Sequence, residues 1–345
     1  MKILFVNEYS SLRPVSGAEY SQSALAKALK AEMFTPNWKT NQSGQGLSPL
    51  WFNNPLYYLY SAWEIFIAIK RHRINIIHVH GKYILPGAVI AGWLTGKPVV
   101  ITVRDFKFLC PLALCFTHQQ KQCRFNYYVN HEIPDYQQRY DGGSSFSLIL
   151  GKLWQYQLKW WLNRCRRIIC VSPQLAEIYR ENKVKNVDWI YNLPPKKQAM
   201  SKGNTVLSVG KLSYGKGTDS VVEAAKLLPQ YQFVFAGSLN PSFKADFPKN
   251  CQYIGKISHE QVLKLYQKAA VFVINSRWPE PLSRAGLEAL SFGLPIVASD
   301  RGGNRELVKD NGYLVNPEKV KEIAGVIDRA AMQTNKLGKN SLKLL

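Results

Sequence analysis

Glu280 and Glu288, with seven residues between them, are the two side chains of this sequence whose type and spacing best fit ligand chemistry. They lie in the segment NSRWPEPLSRAGLEALSFGLPIVASDRGGNRELV, which runs from Asn275 to Val308. A carboxylate accepts hydrogen bonds from hydroxyl groups and so suits a sugar or a ribose. The elements around the pair follow from apolar spacing. Ala270 to Ile274 (AVFVI) reads as a buried parallel strand. A helix is expected from about Ser283, with Ala285, Leu287, Ala289 and Leu290 on its packed face. Glu280 then sits in the loop after a strand and Glu288 inside the following helix. Open α/β sheets bind ligands in that crevice, and the amides at such a helix start attract phosphate. Two glutamates at this spacing also fit a solvated helix face.

Two further segments have phosphate-binding character. Val209 to Gly217 (VGKLSYGKG) joins an expected strand to a helix beginning near Thr218. Its Lys211 and Lys216 are placed to clamp a diphosphate, and Gly210 and Gly217 let the loop turn. In a lysine-rich chain, two surface lysines are an equally ordinary reading. Pro14 to Glu19 (PVSGAE) puts Gly17 between the first strand and a helix, where bare backbone admits a phosphate. A glycine there also serves turn geometry alone.

The run from Glu280 through Glu288 to ALSFGLPIVAS resembles the signature of retaining glycosyltransferases of family 4. The resemblance implies an α/β fold of the GT-B type, two Rossmann-like doubly wound domains facing across a cleft. It implies a sugar transfer, of hexosyltransferase type, from a UDP-sugar or GDP-sugar donor with the anomeric configuration retained and no cofactor or metal. Glu288 would accept from the donor ribose, and Glu280 would contact sugar hydroxyls beside the reacting carbon. Lys211 and Lys216 fall on the family's G-R-x4-K-G motif, with Lys211 in the arginine's place. The backbone at Leu282 and Ser283 would meet the diphosphate and sugar, although relatives usually carry glycine or small residues there. Gly255 to Ile257 (GKI) matches the loop that lines the base, which gives Ile257 that role, and Gly17 falls with the diphosphate-binding set.

In the first half the resemblance continues through His78 to Gly81 (HVHG) and Thr102 to Pro111 (TVRDFKFLCP). Relatives often have histidine where this chain has Arg104. An arginine stays protonated and is no general base. In a same-face transfer the leaving diphosphate can take the acceptor proton, which leaves Arg104 to stabilise charge. His80 is the next candidate for a catalytic role. A histidine ending a buried strand also fits a packed, hydrogen-bonded residue.

Strand and helix patterns alternate along the chain, as parallel sheets covered by helices require. Strands are expected at Lys2 to Asn7, Ile74 to His80, Pro98 to Val103, Arg167 to Ser172 and Trp189 to Asn192. Helices are expected at Ala18 to Lys30, Ile84 to Thr95 and Pro173 to Arg180. Leu193 to Asn204 (LPPKKQAMSKGN) is the linker, and alternation restarts at Thr205 to Gly210. It continues through Phe233 to Gly237, Pro295 to Ser299 and Gly312 to Val315. The expected division is an acceptor-binding domain over residues 1–195, a donor-binding domain over 196–330, and a polar tail over 331–345 (AMQTNKLGKNSLKLL).

With 345 residues and 46% hydrophobic content, the chain is long enough for two cores. It carries 45 basic and 23 acidic residues, a net +22. Residues 1–195 hold 23 basic and 11 acidic side chains, so no single tail accounts for the excess. Such a field favours an anionic partner: a phosphate-rich ligand, a nucleic acid or an anionic membrane face. Leu153 to Arg167 (LWQYQLKWWLNRCRR) and the aromatic run from Leu50 (LWFNNPLYYLYSAWEIF) fit a basic aromatic surface against lipid, or core packing. The N-terminus MKILFVNEYS lacks a signal-peptide core, which points to a cytoplasmic protein, peripheral at the inner face of the plasma membrane if the aromatic face meets lipid. The six cysteines agree with a reducing compartment. Cys110, Cys115, His118 and Cys123 have loose zinc-like spacing, and no metal is expected. The donor and a lipid-linked or saccharide acceptor are the expected partners in envelope polysaccharide or glycolipid synthesis, and nucleic acid is not. The competing readings are a non-catalytic basic module for nucleic acid or anionic membrane, and another GT-B enzyme such as an epimerase or phosphorylase.

Overall fold

A computed structural model describes residues 1–7, 17–35, 54–110, 112, 129–130, 133–134 and 145–345. Cys115, His118, Cys123, Pro14 to Ser16 and Leu50 to Asn53 lie outside them. The chain divides into two compact units, one formed by Met1–Ala113 with Ile149–Leu193, the other carrying Pro194–Leu345.

The first unit is built on six parallel strands: β1 (Ile3–Asn7), β2 (Glu32–Phe34), β3 (Ile76–His80), β4 (Val99–Val103), β5 (Arg167–Cys170) and β6 (Val187–Trp189). Their order is β2-β1-β3-β4-β5-β6, so the chain reverses direction across the sheet between β1 and β3. Helices α1 (Gly17–Ala28), α2 (Pro55–His72), α3 (Leu85–Thr95), α4 (Ser145–Leu162) and α5 (Pro173–Glu181) connect them. Sequence explains α2 at both ends. Asn54 caps it by accepting from Leu56 N at 2.9 Å, Pro55 opens it, and Lys70, Arg71 and His72 occupy the last turn, where the helix dipole favours cations.

The second unit repeats the plan with β7 (Thr205–Val209), β8 (Gln232–Ala236), β9 (Cys251–Tyr253), β10 (Ala269–Ile274), β11 (Ile296–Ser299) and β12 (Gly312–Val315). The order β12-β11-β10-β7-β8-β9 places its reversal between β7 and β10. Its helices are α6 (Thr218–Lys226), α7 (His259–Lys268), α8 (Arg284–Ser291), α9 (Val320–Met332) and α10 (Thr334–Leu344). All six residues of β10 are buried, as its unbroken apolar run requires of a central parallel strand. Val206, Phe233, Phe235, Val271 and Val273 from the sheet pack with Val221 of α6 and with Ile323 and Ile327 of α9.

Three expectations change. The last strand of the first unit lies at Val187–Trp189 and not at Trp189 to Asn192, because its partner β5 ends at Cys170, whose carbonyl takes Ile190 N at 2.9 Å. The aromatic stretch read over Leu153 to Arg167 is helical only as far as Leu162, in a helix over Ser145–Leu162 that holds Lys152 and Lys159 and stops before the arginines, of which Arg167 opens β5. Residues 331–345 are no loose polar tail: Thr334–Leu344 is a helix. Its docking combines one core leucine, Leu337, with small and polar groups that a hydrophobic pattern does not register. Gly338 lets the helix close on Gly293, since a Cβ there would lie 2.3 Å from the Gly293 carbonyl oxygen. Buried Ser341 donates to Leu294 O at 2.6 Å and accepts from Asn311 Nδ2 at 3.2 Å.

Candidate functional site

The loop after β7 folds down onto the end of β10, at the reversal of the second sheet, where parallel α/β sheets place ligands. Ser213 organises it: its Oγ accepts from Lys216 N at 3.3 Å and its backbone N–H donates to Thr218 Oγ1 at 3.2 Å. Gly217 closes the turn at φ 62°. A Cβ there would come within 2.1 Å of the Asn275 carbonyl oxygen, so only glycine lets the loop sit against the strand end. Asn275 holds the contact from the other side by donating to Gly217 O and Pro317 O, both at 3.2 Å.

This packing delivers Lys216 to Glu280. The Lys216 ammonium donates to Glu280 Oε1 at 2.5 Å, Ser276 Oγ donates to the same oxygen, and the Trp278 ring centroid lies 5.2 Å from the ammonium. The Glu280 backbone is fixed independently, because its carbonyl accepts from Gly303 N at 2.6 Å. Arg277 locks the same loop. Its guanidinium donates to Asp219 Oδ1 and Oδ2 at 2.6 and 2.8 Å, to Glu318 at 2.8 Å, to Ser220 Oγ at 2.7 Å and to Tyr214 O. Burial works against its charge, but the Asp219 and Glu318 carboxylates outweigh that and hold its pKa above the ordinary value.

Ser283 caps α8, its Oγ accepting from Gly286 N at 3.2 Å. Leu282 and Ser283 are both buried at the helix start. One turn into α8, buried Glu288 meets Arg284 Nε at 3.1 Å and His259 Nε2 at 3.0 Å. Tyr266 lies fully buried nearby and donates to Ala285 O at 3.1 Å; desolvation, reinforced by Glu288, keeps its phenol well above the usual range and hence neutral. Ile257 stands two residues before His259, in the loop after Gly255, so the expected base loop and the expected ribose carboxylate meet through His259. Lys211 is exposed at the start of its loop.

In the first unit His78 and His80 end β3. His78 Nε2 pairs with Thr102 Oγ1 at 2.8 Å, and His80 Nδ1 pairs with an Arg104 guanidinium nitrogen at 2.9 Å. Phe5 stacks on His80 with ring centroids 4.6 Å apart. Burial first, then the Arg104 charge, lowers the His78 pKa to about 4 and holds His80 well below its ordinary value. Arg104 is itself lowered to about 10 by desolvation, and so remains charged at neutral pH. Gly17 is the exposed first residue of α1, and its carbonyl accepts from Ser21 Oγ at 3.0 Å.

The second unit thus brings Lys216, Glu280, Leu282 and Ser283 onto two adjoining loops, with Glu288 and Ile257 joined through His259. Sequence reasoning passed over Ser276, Arg277, Trp278 and His259. The first three stand inside the segment quoted for Glu280, where a polar run directly after a buried strand marks a ligand-facing loop. His259 left no such signal.

Two doubly wound parallel sheets, each with its polar residues gathered at a strand reversal, define a GT-B protein. Residues 15–193 match the family described as Glycosyltransferase Family 4 and residues 191–341 that described as Glycosyl transferases group 1; the chain belongs to glycosyltransferase family 4. It is 31% identical over 159 residues to Spore coat protein SA of Bacillus subtilis, covering 39% of this chain and 42% of that protein. Alignments span between 35% and 42% of the length of three such curated relatives. Among solved structures, sucrose-phosphate synthase from Thermosynechococcus elongatus superposes with a TM-score of 0.70 at 17% identity, covering 99% of this chain and 93% of that one. Anabaena Alr3699/HepE in complex with UDP-glucose gives 0.67 at 19% identity, covering 100% and 94%.

Proposed function

We propose that the chain transfers a hexosyl group from a UDP-sugar or GDP-sugar to an acceptor, with retention of configuration. The observation that carries this reading is the Lys216–Glu280 pair at the β7–β10 reversal, eight residues from a second buried carboxylate, Glu288. Lys216 and the amides around Leu282 and Ser283 would take the diphosphate, with Lys211 adding charge. Glu288 would take the ribose hydroxyls, the backbone near Ile257 the base, and Glu280 the sugar. A preorganised cation beside the leaving group stabilises the charge that develops as the glycosidic bond breaks. Retention follows from the departing diphosphate acting as base on the face it leaves, and Arg104, which cannot accept a proton, fits that scheme. The UDP-glucose complex of the HepE neighbour supports a uridine donor.

A lipid-linked or saccharide acceptor at the inner face of the plasma membrane is supported by the surface of the first unit. Leu56, Leu59, Trp63 and Ile67 form an exposed stripe on α2. Trp93 of α3 and Trp160 of α4 are exposed beside each other, ring centroids 6.4 Å apart. Lys70, Arg71 and Arg73 end α2, so the aromatic face has a cationic edge, a combination suited to an anionic interface. Among the described residues no helix is long and apolar enough to cross a membrane.

The test is a calorimetric titration of UDP, GDP and ADP into the wild-type chain and a Lys216→Ala, Glu288→Ala double variant, followed by NMR of the anomeric product. Binding of one diphosphate, lost in the variant, is expected. No binding to any of them would favour a non-catalytic basic module, and an inverted product would remove retention.

A further inference from the structure

Three neighbouring side chains of the first unit carry buried polar atoms without a hydrogen-bond partner among the described residues: Asn7 Nδ2 and Oδ1, His80 Nε2 and Arg104 Nε. They belong together. Asn7 and His80 are register partners at the carboxyl ends of β1 and β3, the two strands that flank the sheet reversal. Arg104 follows β4 directly and is bonded to His80. Asn7 and His80 are only 2% and 8% exposed, so water does not readily substitute for the missing partners.

The donor inventory settles the direction of the Arg104–His80 bond. A guanidinium has donors and no acceptor, so His80 Nδ1 must supply the lone pair. A neutral imidazole with a free lone pair on Nδ1 carries its proton on Nε2. The unpartnered Nε2 is therefore an N–H donor and not a base. Arg104 Nε–H and the Asn7 amide N–H groups give further donors at the same strand ends. The charge balance points the same way. Among the described residues no carboxylate forms an ion pair with Arg104: the Asp105 charge favours its cation without pairing with it, and that carboxylate is engaged with Lys107 N at 2.9 Å. A buried cation left in this state is costly unless an anion joins it.

We propose that the polar cluster at the ends of β1, β3 and β4 binds an oxyanion, a phosphate or carboxylate, through His80 Nε2–H, Arg104 and Asn7, with Arg104 as the positioning residue that fixes the His80 tautomer. The unpartnered Asn7 Oδ1 accepts one hydrogen bond in addition, which a monohydrogen phosphate or a hydroxyl of the same ligand supplies. The oxyanion comes either from the acceptor or from a nucleoside diphosphate. Oxyanion binding rests on the cluster alone, whereas the two sources named for it rest on the transfer reading.

The test uses the full chain labelled with 15N-histidine and inorganic phosphate as the probe. Long-range 1H–15N correlation spectra resolve the ring nitrogens of its six histidines, with His80 assigned from His80→Gln. The expected pattern for His80 is that of the Nε2–H tautomer, unchanged through its ordinary titration range because burial and the Arg104 charge hold its pKa well below the ordinary value. Added phosphate shifts the Nε2 resonance saturably. Arg104→Lys, checked for folding by its melting curve, weakens phosphate binding at least about tenfold, because an ammonium lacks the planar fork. Asn7→Ala weakens it while leaving the tautomer as it is. Retention of the phosphate response in saturating UDP assigns the site to an acceptor-borne oxyanion, and its loss assigns the site to the nucleotide. A protein that fails to bind UDP but responds to phosphate overturns the transfer reading and not this one. An Nδ1–H pattern for His80, a titration near its ordinary value, or an Nε2 resonance indifferent to phosphate overturns the proposal.

Discussion

Replacing Glu280 by glutamine should tighten the binding of free UDP while slowing transfer. In the structure the Lys216 ammonium donates to Glu280 at 2.5 Å, with the two side chains 30% and 10% exposed. A diphosphate arriving at Lys216 must share or displace that bond. A charge-assisted hydrogen bond contributes about 1.5–3 kcal/mol when well buried, and the partial exposure of Lys216 reduces this to about 1 kcal/mol. Glutamine keeps the shape and the Ser276 hydrogen bond but removes the charge, which frees the ammonium and lessens repulsion of the phosphates. About 1 kcal/mol corresponds to roughly fivefold tighter binding. Lys216→Met removes the cation and leaves the Glu280 charge facing the ligand, and should weaken UDP by about 30-fold or more. Calorimetry on the three proteins measures both effects. With a UDP-sugar donor, Glu280→Gln should lose about a hundredfold or more in transfer rate. If both variants weaken UDP to a similar degree, Glu280 is a ligand of the nucleotide and not its competitor for Lys216, and the reasoning fails.

Other perturbations give separate checks. Arg277→Ala strips two carboxylates and Ser220 of their common donor and should cost about 3 kcal/mol in urea denaturation; a loss below about 1 kcal/mol would mean that solvent already screens the fork. His78 has a folded pKa of about 4 against an ordinary 6.5, so unfolding takes up a proton between these values and stability falls as pH drops through that window. By about pH 5 the share of His78 is on the order of 2 kcal/mol, which His78→Gln should remove from the difference between pH 7 and pH 5; an unchanged pH slope would refute it. Trp63→Ala with Trp160→Ala should lower binding to anionic vesicles at least about tenfold, each indole giving up roughly 1.5–3 kcal/mol of burial in the interface; undiminished sedimentation with vesicles would remove the aromatic face from the acceptor reading.

The strands that carry the site were legible because buried parallel strands are continuous apolar runs, as Ala269–Ile274 and Ile296–Ser299 are. The start of α8 at Ser283 was legible for a different reason, since a serine before a helical pattern is a cap signal. What escaped depends on distant partners. His259 reaches Glu288 across 29 residues of chain and Arg277 reaches Asp219 across 58, and neither has a local pattern. The terminal helix escaped because only Leu337 of its buried residues is apolar, while Gly338 and Ser341 count in a hydrophobicity pattern as breaker and polar residue. The role of Arg104 was half visible: sequence alone excludes it as a base, but only the His80 Nδ1 contact shows what it holds.

Arg277 sets a constraint on how this sequence can drift. Its guanidinium is the common partner of Asp219, Ser220 and Tyr214 O before and within α6 and of Glu318 beyond β12. Losing any one acceptor weakens the hub, whereas losing the arginine strands all of them at once, so the effects of these substitutions are not additive. A change at Asp219 costs less in a background where Arg277 has already changed, and the reverse. The two positions are therefore expected to be exchanged in pairs or not at all, and a chimera that takes α6 from one relative and the loop after β10 from another should fail at this junction before it fails in either core.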